Sequence, residues 1–449
     1  MRHKRASSVA ILLVSVWAGA ANAKVSAEES ARLGQDLTPI GAEKAASVDG
    51  SIPEWAGGLP QHGELVGYWP QNLFKDDAAL YTITGANLAQ YRDQLSAGHQ
   101  ALLQRYPSYK MTVYPSRRSV AFPQAIYDAT KANAATTFLE GGKPDGLRGA
   151  RLGFPFPIPQ TGAELIWNHR LKYRGEAVRR YNNQAIVLPS GSITLTKLVE
   201  DVIFPYGSMK NPQPFDKPDS VSIYYLSNVV APPRVAGQFL LAWEHPEDRS
   251  AWIYNPALRR IRRAPSVAYD NPYEGTDGNQ FYDQVDMFNG ALDRYTWKLV
   301  GKREMIVGYN PDRMIQQGLK YGEIVKKSHL NQDLGRYELH RVWIVEADNV
   351  PGLRHSFKKR VMYIDEDSWT IAMVDCYDQR DQLWKFQEGH LLSVTNIQFG
   401  TTVPETIYDL QSGGYFVTTL FTEDKSPDFS VTFDKQYFTP DNVKKGIKR

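Results

Sequence analysis

The residues able to do chemistry in this chain are scattered. Nine histidines occur, His3, His62, His99, His169, His245, His329, His340, His355 and His390, and no two have H-E-x-x-H or H-x-H spacing. A zinc-hydrolase motif is therefore missing. The single cysteine, Cys376, rules out a disulfide framework and any Cys-rich metal site. It lies in Ile371–Tyr377, a strand-like run, and reads as a small core hydrophobe. The chain has no G-x-S-x-G elbow, no phosphate-binding loop and no dinucleotide fingerprint. Glu244-His245-Pro246-Glu247-Asp248 gathers possible ligands, but Pro246 breaks regular geometry and a polar turn is the reading. Asp365-Glu366-Asp367 lacks the alternating spacing and central Gly of a calcium loop and reads as a hairpin turn. A glycosidase carboxylate pair would have to be assembled from distant strands. The expectation is a protein that is not an enzyme, with no catalytic residue, metal or cofactor assigned.

Two clusters stand out as ligand-facing or structural. Arg259, Arg260, Arg262 and Arg263 place four guanidiniums in five positions. On a strand, Arg260 and Arg262 point one way and Arg259, Ile261 and Arg263 the other. That pattern suits an anionic headgroup or acidic partner, bound bidentately, or else a solvated strand with cross-strand Asp/Glu partners. The second cluster, Trp167-Asn168-His169-Arg170, joins an aromatic ring to three polar groups. Asp286-Met287-Phe288-Asn289-Gly290 with Arg294–Lys298 does the same, and in both cases buried ion pairs and loop-fixing hydrogen bonds compete with a site.

The elements that must position these residues follow from periodicity. Residues 24–80 are rich in Gly and Pro turn signals. Helices are expected over 86–105 and 124–139, with a shorter one over 162–172. Between the last two, Gly153-Phe154-Pro155-Phe156-Pro157-Ile158-Pro159 forces an extended path. From about 180 onward the pattern is strand. Its most regular part predicts four strands, 337–347, 356–364, 369–377 and 383–394, joined by short turns. Short connections imply an antiparallel meander and argue against a parallel doubly wound sheet. No fixed repeat points to a propeller or solenoid.

Arg2, Lys4 and Arg5, the apolar run from Val9 to Ala20 and Ala21-Asn22-Ala23 have the layout of a secretory signal peptide, residues 1–23, cleaved after Ala23. The apolar run is shorter than the roughly 20 residues a spanning helix needs. Removing those three basic residues from the 52 Lys and Arg leaves as many as the 49 acids. The formal charge of +3 thus belongs to the leader, and nothing in the charge calls for nucleic acid. No cysteine stands at the expected mature N-terminus to carry a lipid, so the chain is expected in the periplasm and is not itself a lipoprotein.

Several segments together resemble a known family. They are Leu37–Glu43, Gly153–Pro157, Ile166–Arg170, Trp252–Pro256, Arg259–Pro265, Met287–Gly290 and Tyr337–Ala347. The resemblance is to a proteobacterial domain-of-unknown-function family often labelled outer-membrane lipoprotein-sorting proteins. It implies an architecture similar to the lipoprotein carriers LolA and LolB: mainly β with helices, a large curved antiparallel sheet forming an unclosed half-barrel, and helices packed in or over the concave face. It also implies association with a resistance-nodulation-division type exporter and an outer-membrane channel protein. Residues 24–449 then form a single LolA/LolB-like domain, with a Gly/Pro-rich segment (24–80), a mainly helical cover (81–175) and the antiparallel sheet (176–449).

A curved sheet with one apolar face leaves a hollow if its covering helices fill it only partly. Burying a sixteen-carbon chain there is worth roughly 10 kcal/mol before costs. The expected function is a periplasmic binding or carrier protein for a lipid or other hydrophobic ligand, working with envelope export machinery. Arg259, Arg260, Arg262, Arg263, Trp167, His169 and Arg170 are its candidate headgroup or partner contacts, and peripheral membrane contact is compatible with them. The alternatives are a structural adaptor between an exporter and an outer-membrane channel, and an envelope glycan or lipid hydrolase.

Overall fold

The computed structural model describes residues 25–66, 72–217, 219–264 and 269–447. The expected leader lies outside them, so the structure does not bear on it. Among the described residues one sheet gathers sixteen strands. They are β1 (Tyr81–Ile83), β2 (Met111–Tyr114), β5 (Ala177–Tyr181), β6 (Asn183–Val187), β7 (Ile193–Ile203), β8 (Ile223–Ala231), β9 (Phe239–Glu244), β10 (Arg249–Asn255), β11 (Arg260–Arg263), β12 (Tyr295–Gly308), β13 (Tyr337–Asn349), β14 (Lys359–Asp365), β15 (Ile371–Tyr377), β16 (Leu383–Val394), β17 (Phe399–Asp409) and β18 (Tyr415–Leu420). A separate ribbon pairs β3 (Phe138–Leu139) with β4 (Leu147–Arg148). The helices are α1 (Ala27–Ala31), α2 (Leu88–Tyr91), α3 (Ala97–Arg105), α4 (Gln124–Thr136), α5 (Gly162–Arg170), α6 (Tyr321–Ile324) and α7 (Pro440–Ile447).

The meander read from the sequence is present. Strands β13 to β18 pair in chain order, each antiparallel to the next. The sheet then continues through β6, β7, β8, β9 and β10 to β11. It does not close: β12 pairs with β13 and β11 with β10, and each ends the sheet. Strand β2 adds the parallel pairing, to β13 at Tyr337 and Glu338. The predicted strand 369–377 starts late. Trp369 takes φ +54° and leaves the ladder, its amide donating back to Asp365 O at 2.9 Å.

The curvature is strong at one end. Tyr309, just past β12, bridges Leu391 of β16, although three strands separate β12 from β16 in the sheet. The inside of this curl is packed with side chains such as Trp167, Trp369, Tyr337, Met373 and Phe386, all at most 0% exposed. The oily hollow expected beneath the main sheet is thus filled there by the protein itself.

The predicted helix 86–105 is broken. Leu95 is extended, and Ser96 caps a new helix by accepting from the His99 amide at 3.1 Å. The next two free amides, Ala97 and Gly98, donate to the Asp375 carboxylate of β15 at 3.0 and 2.8 Å. A carboxylate from the sheet thus satisfies the orphan donors of the α3 first turn, which a continuous helix would not expose. Gly98 allows the close approach: a Cβ there would fall 2.1 Å from the Phe386 ring. Helix α4 stops at Thr136, before the predicted end, because Phe138 and Leu139 pair as β3. Helix α5 matches its expectation, opened by a Thr161–Glu164 capping box.

Candidate functional site

The period-2 alternation of the second half of the sheet builds two unlike faces. On one, Ile203, Leu226, Phe239, Leu241 and Tyr254 are covered by Phe438 and Val443 of the C-terminal segment. On the other, Val178, Val202, Ile223, Leu240 and Ala242 face a cavity. Its far side comes from β17 and β18, with Val403, Glu405 and Thr418, and from the segment 273–289, with Tyr273, Tyr282 and Asp286. The volume is about 110 Å³. That is below the roughly 300–1,000 Å³ of pockets that enclose a drug-sized molecule. A second cavity of about 60 Å³ adjoins it, and Gln184, Leu240, Tyr273 and Tyr282 line both.

The charged part of the lining is made of paired groups. Asp286 receives Lys172 Nζ at 2.7 Å and Arg174 Nη1 at 2.5 Å. Burial would raise its carboxyl, but these two cations hold it well below the usual carboxylate range. Asp286 and Met287 both have positive φ, +53° and +64°. Two consecutive left-handed non-glycine residues store strain, and here they present the carboxylate to the cavity. Glu200 accepts from Arg180 Nε at 2.8 Å, Asn182 Nδ2 at 2.7 Å and Tyr225 Oη at 2.6 Å. Across the β9–β10 pair, Arg249 Nε meets Glu244 Oε1 at 2.6 Å. Glu405 has no basic partner within 4 Å among the described residues and accepts from Thr402 Oγ1 at 2.7 Å. Burial first, then repulsion by Asp286, push its carboxyl up to about 7. The raised carboxyl favours its neutral form, which can donate a hydrogen bond as well as accept one. The arrangement can hold an apolar body against one wall and a polar end against the other.

The sequence-predicted residues lie elsewhere. Trp167 is buried, its Nε1 donating to Pro144 O at 2.7 Å. His169 is buried beside the site: its Nδ1 accepts from the Ile371 amide at 3.0 Å and its Nε2 donates to Asp286 O at 2.8 Å. Burial and Lys172 push its pKa down to about 3, so the ring is neutral. Arg170 lies over the Trp167 ring, 4.6 Å from its centroid, with Glu244 at 3.9 Å. Burial lowers its pKa to about 10. Of these three, His169 and Arg170 back the cavity wall through Asp286 and Glu244. The arginines do not line it; they lie on the terminal strand β11, next to β10, whose Arg249 does. Arg260 and Arg262 stand opposite Asn255 and Ile253, and Arg263 opposite Trp252, so the cross-strand acidic partners of one sequence reading are missing. Arg259 is not part of the alternation; it sits in the preceding turn at φ +49°. Sequence reading missed Arg174, Arg180, Glu200 and Glu405. The available signal was a charge on an apolar strand face, as with Glu200 between Leu198 and Val202.

No helix among the described residues is long and apolar enough to cross a membrane. Residues 82–444 match the family described as protein of unknown function (DUF1329). An uncharacterized protein of Pseudomonas aeruginosa is 44% identical over 439 residues, covering 96% of each chain. A DUF1329 family protein from Desulfovibrio piger aligns with 60% of this chain and 92% of its own, at 16% identity and a TM-score of 0.40. A LolA superfamily protein from Nitrosomonas europaea aligns with 63% of this chain and 99% of its own, at 10% identity and a TM-score of 0.38.

Proposed function

The chain belongs to the DUF1329 family, and from that premise we propose that it is a periplasmic binding protein for an amphipathic, lipid-like ligand, held without covalent chemistry. The supporting observation is the cavity between two unlike walls. Val178, Val202, Ile223 and Leu240 offer an apolar surface, and Asp286, Glu405 and Glu200 with their partners offer a polar one. At about 110 Å³ the cavity takes a segment of a ligand. Tyr273 and Tyr282, with ring centroids 4.7 Å apart, separate it from the second cavity on the same strand face. A longer apolar chain is accommodated when these rings swing aside and the two spaces join.

Titration with a fluorescent fatty-acid probe tests this reading. Wild-type protein gives saturable binding, and Ala242→Trp, which fills the cavity from the strand side, weakens it by roughly tenfold or more. Equal binding by both proteins overturns the reading.

A second reading, an adaptor between an exporter and an outer-membrane channel, is favoured by the filled curl and by the exposed arginines of β11. It predicts no ligand in either protein and a salt-sensitive complex formed through β11.

A further inference from the structure

Strand β13 carries Glu338 and His340 on one face, and the β14 register sets Asp365 opposite Val342, on that same face. Asp367 returns from the turn after β14. His340, Asp365 and Asp367 are 1%, 0% and 4% exposed, and one ligand atom from each lies within 4.8 Å of the others. Tyr309 stacks on His340, centroids 3.8 Å apart and planes at 7°.

The hydrogen bonds here leave buried polar atoms unpaired. His340 Nε2 lies 3.0 Å from Glu338 Oε2 and donates to it. That leaves the Nδ1 lone pair facing Asp365 Oδ1 at 3.9 Å, too far for a hydrogen bond. Asp365 Oδ2 accepts from Ser368 Oγ at 2.6 Å, but Oδ1 is buried with no hydrogen-bond partner. The Tyr309 hydroxyl is also buried and unpartnered, and Asp365 and Asp367 are the charges acting on it most strongly. No Lys or Arg lies within 4 Å of the Asp365 carboxylate among the described residues. Leaving such an oxygen unpaired in the interior is costly. Two ligands at about 2.1 Å from one cation are 3.9 Å apart when they subtend roughly 135°.

We infer that His340 Nδ1, Asp365 and Asp367, with the Tyr309 hydroxyl beside them, bind one divalent transition cation, with Zn²⁺ the best match. One imidazole and carboxylate oxygens, with no thiolate, suit Zn²⁺ or Mn²⁺ over Cu(I). The outer contacts have the form that metal sites use: a carboxylate, Glu338, fixes the histidine tautomer, and Arg118 grips Asp367 at 2.6 and 2.8 Å. Buried as it is, the ion ties β13, the β14–β15 turn and the chain after β12 together.

The full mature chain is unfolded in denaturant with a chelator, refolded with Zn²⁺ or Mn²⁺ alone, desalted and analysed by mass spectrometry for metal. Wild type retains about one equivalent of Zn²⁺ and melts at a higher temperature than the chelated protein. Asp365→Asn loses the metal, and Glu338→Gln, which keeps all the ligands, binds roughly tenfold more weakly. Wild type retaining less than about 0.1 equivalent overturns the inference, whether or not the variants fold. So does a folded Asp365→Asn chain that retains as much metal as wild type.

Discussion

His169 accepts from the Ile371 amide and donates to the Asp286 carbonyl, so one neutral ring satisfies two buried backbone groups from distant parts of the chain. Replacement by Leu leaves both unpaired, and we expect a loss of about 3 kcal/mol in urea unfolding. A change below about 0.5 kcal/mol would show that the ring is dispensable. Glu405 makes the pH-dependent counterpart. Its folded carboxyl is raised to about 7, above the ordinary value of 4.5. The native state therefore keeps a proton that the unfolded chain has lost. The stability this contributes is full below pH about 4.5 and is lost as the pH rises through about 7. Asp312 is raised to about 7 as well and adds to the same window. Glu405→Gln should therefore flatten part of that decline and be more stable than wild type at pH 8 by about 1–3 kcal/mol. Thermal melts from pH 4 to 8 measure it. At this scale little of the site was legible. The Trp167–Arg170 cluster was visible as chemistry, yet its partners are Pro144, Asp286, Ile371 and Glu244, and no local pattern joins them.

Strand β11 ends the sheet with three exposed guanidiniums. Charged side chains on a free edge discourage pairing with another chain. Replacing Arg260, Arg262 and Arg263 together by Thr should leave thermal stability nearly unchanged, within about 0.5 kcal/mol per site, because none of them has an acidic partner within 4 Å among the described residues. Light scattering at high protein concentration should rise. An unchanged scattering signal would leave the arginines free for an anionic partner. The elements themselves were the most readable level. Alternation and turn residues located the meander from β13 to β16, because a strand with short connections has few other ways to pair. The helix 86–105 was misjudged because what interrupts it is a long-range contact. Asp375 takes the amides of Ala97 and Gly98, from 278 and 277 residues away.

At the scale of the molecule, one open sheet does two different things. At the β12–β16 end it curls until Tyr309 meets Leu391, and the interior is packed solid. Toward β11 it leaves a small two-faced cavity beside Asp286 and Glu405. An unclosed antiparallel sheet was foreseeable from the strand pattern, but which part stays unfilled depends on side-chain volumes across the fold and is not written in periodicity. This cavity is proposed to take the apolar part of a ligand. Delipidated wild-type and Ala242→Trp proteins, each incubated with envelope lipid extract, repurified and analysed by mass spectrometry, test it most directly. The expected result is a lipid-like species enriched on the wild type and lost when Trp fills the cavity. Lipid recovered equally from both proteins, or from neither, would contradict it.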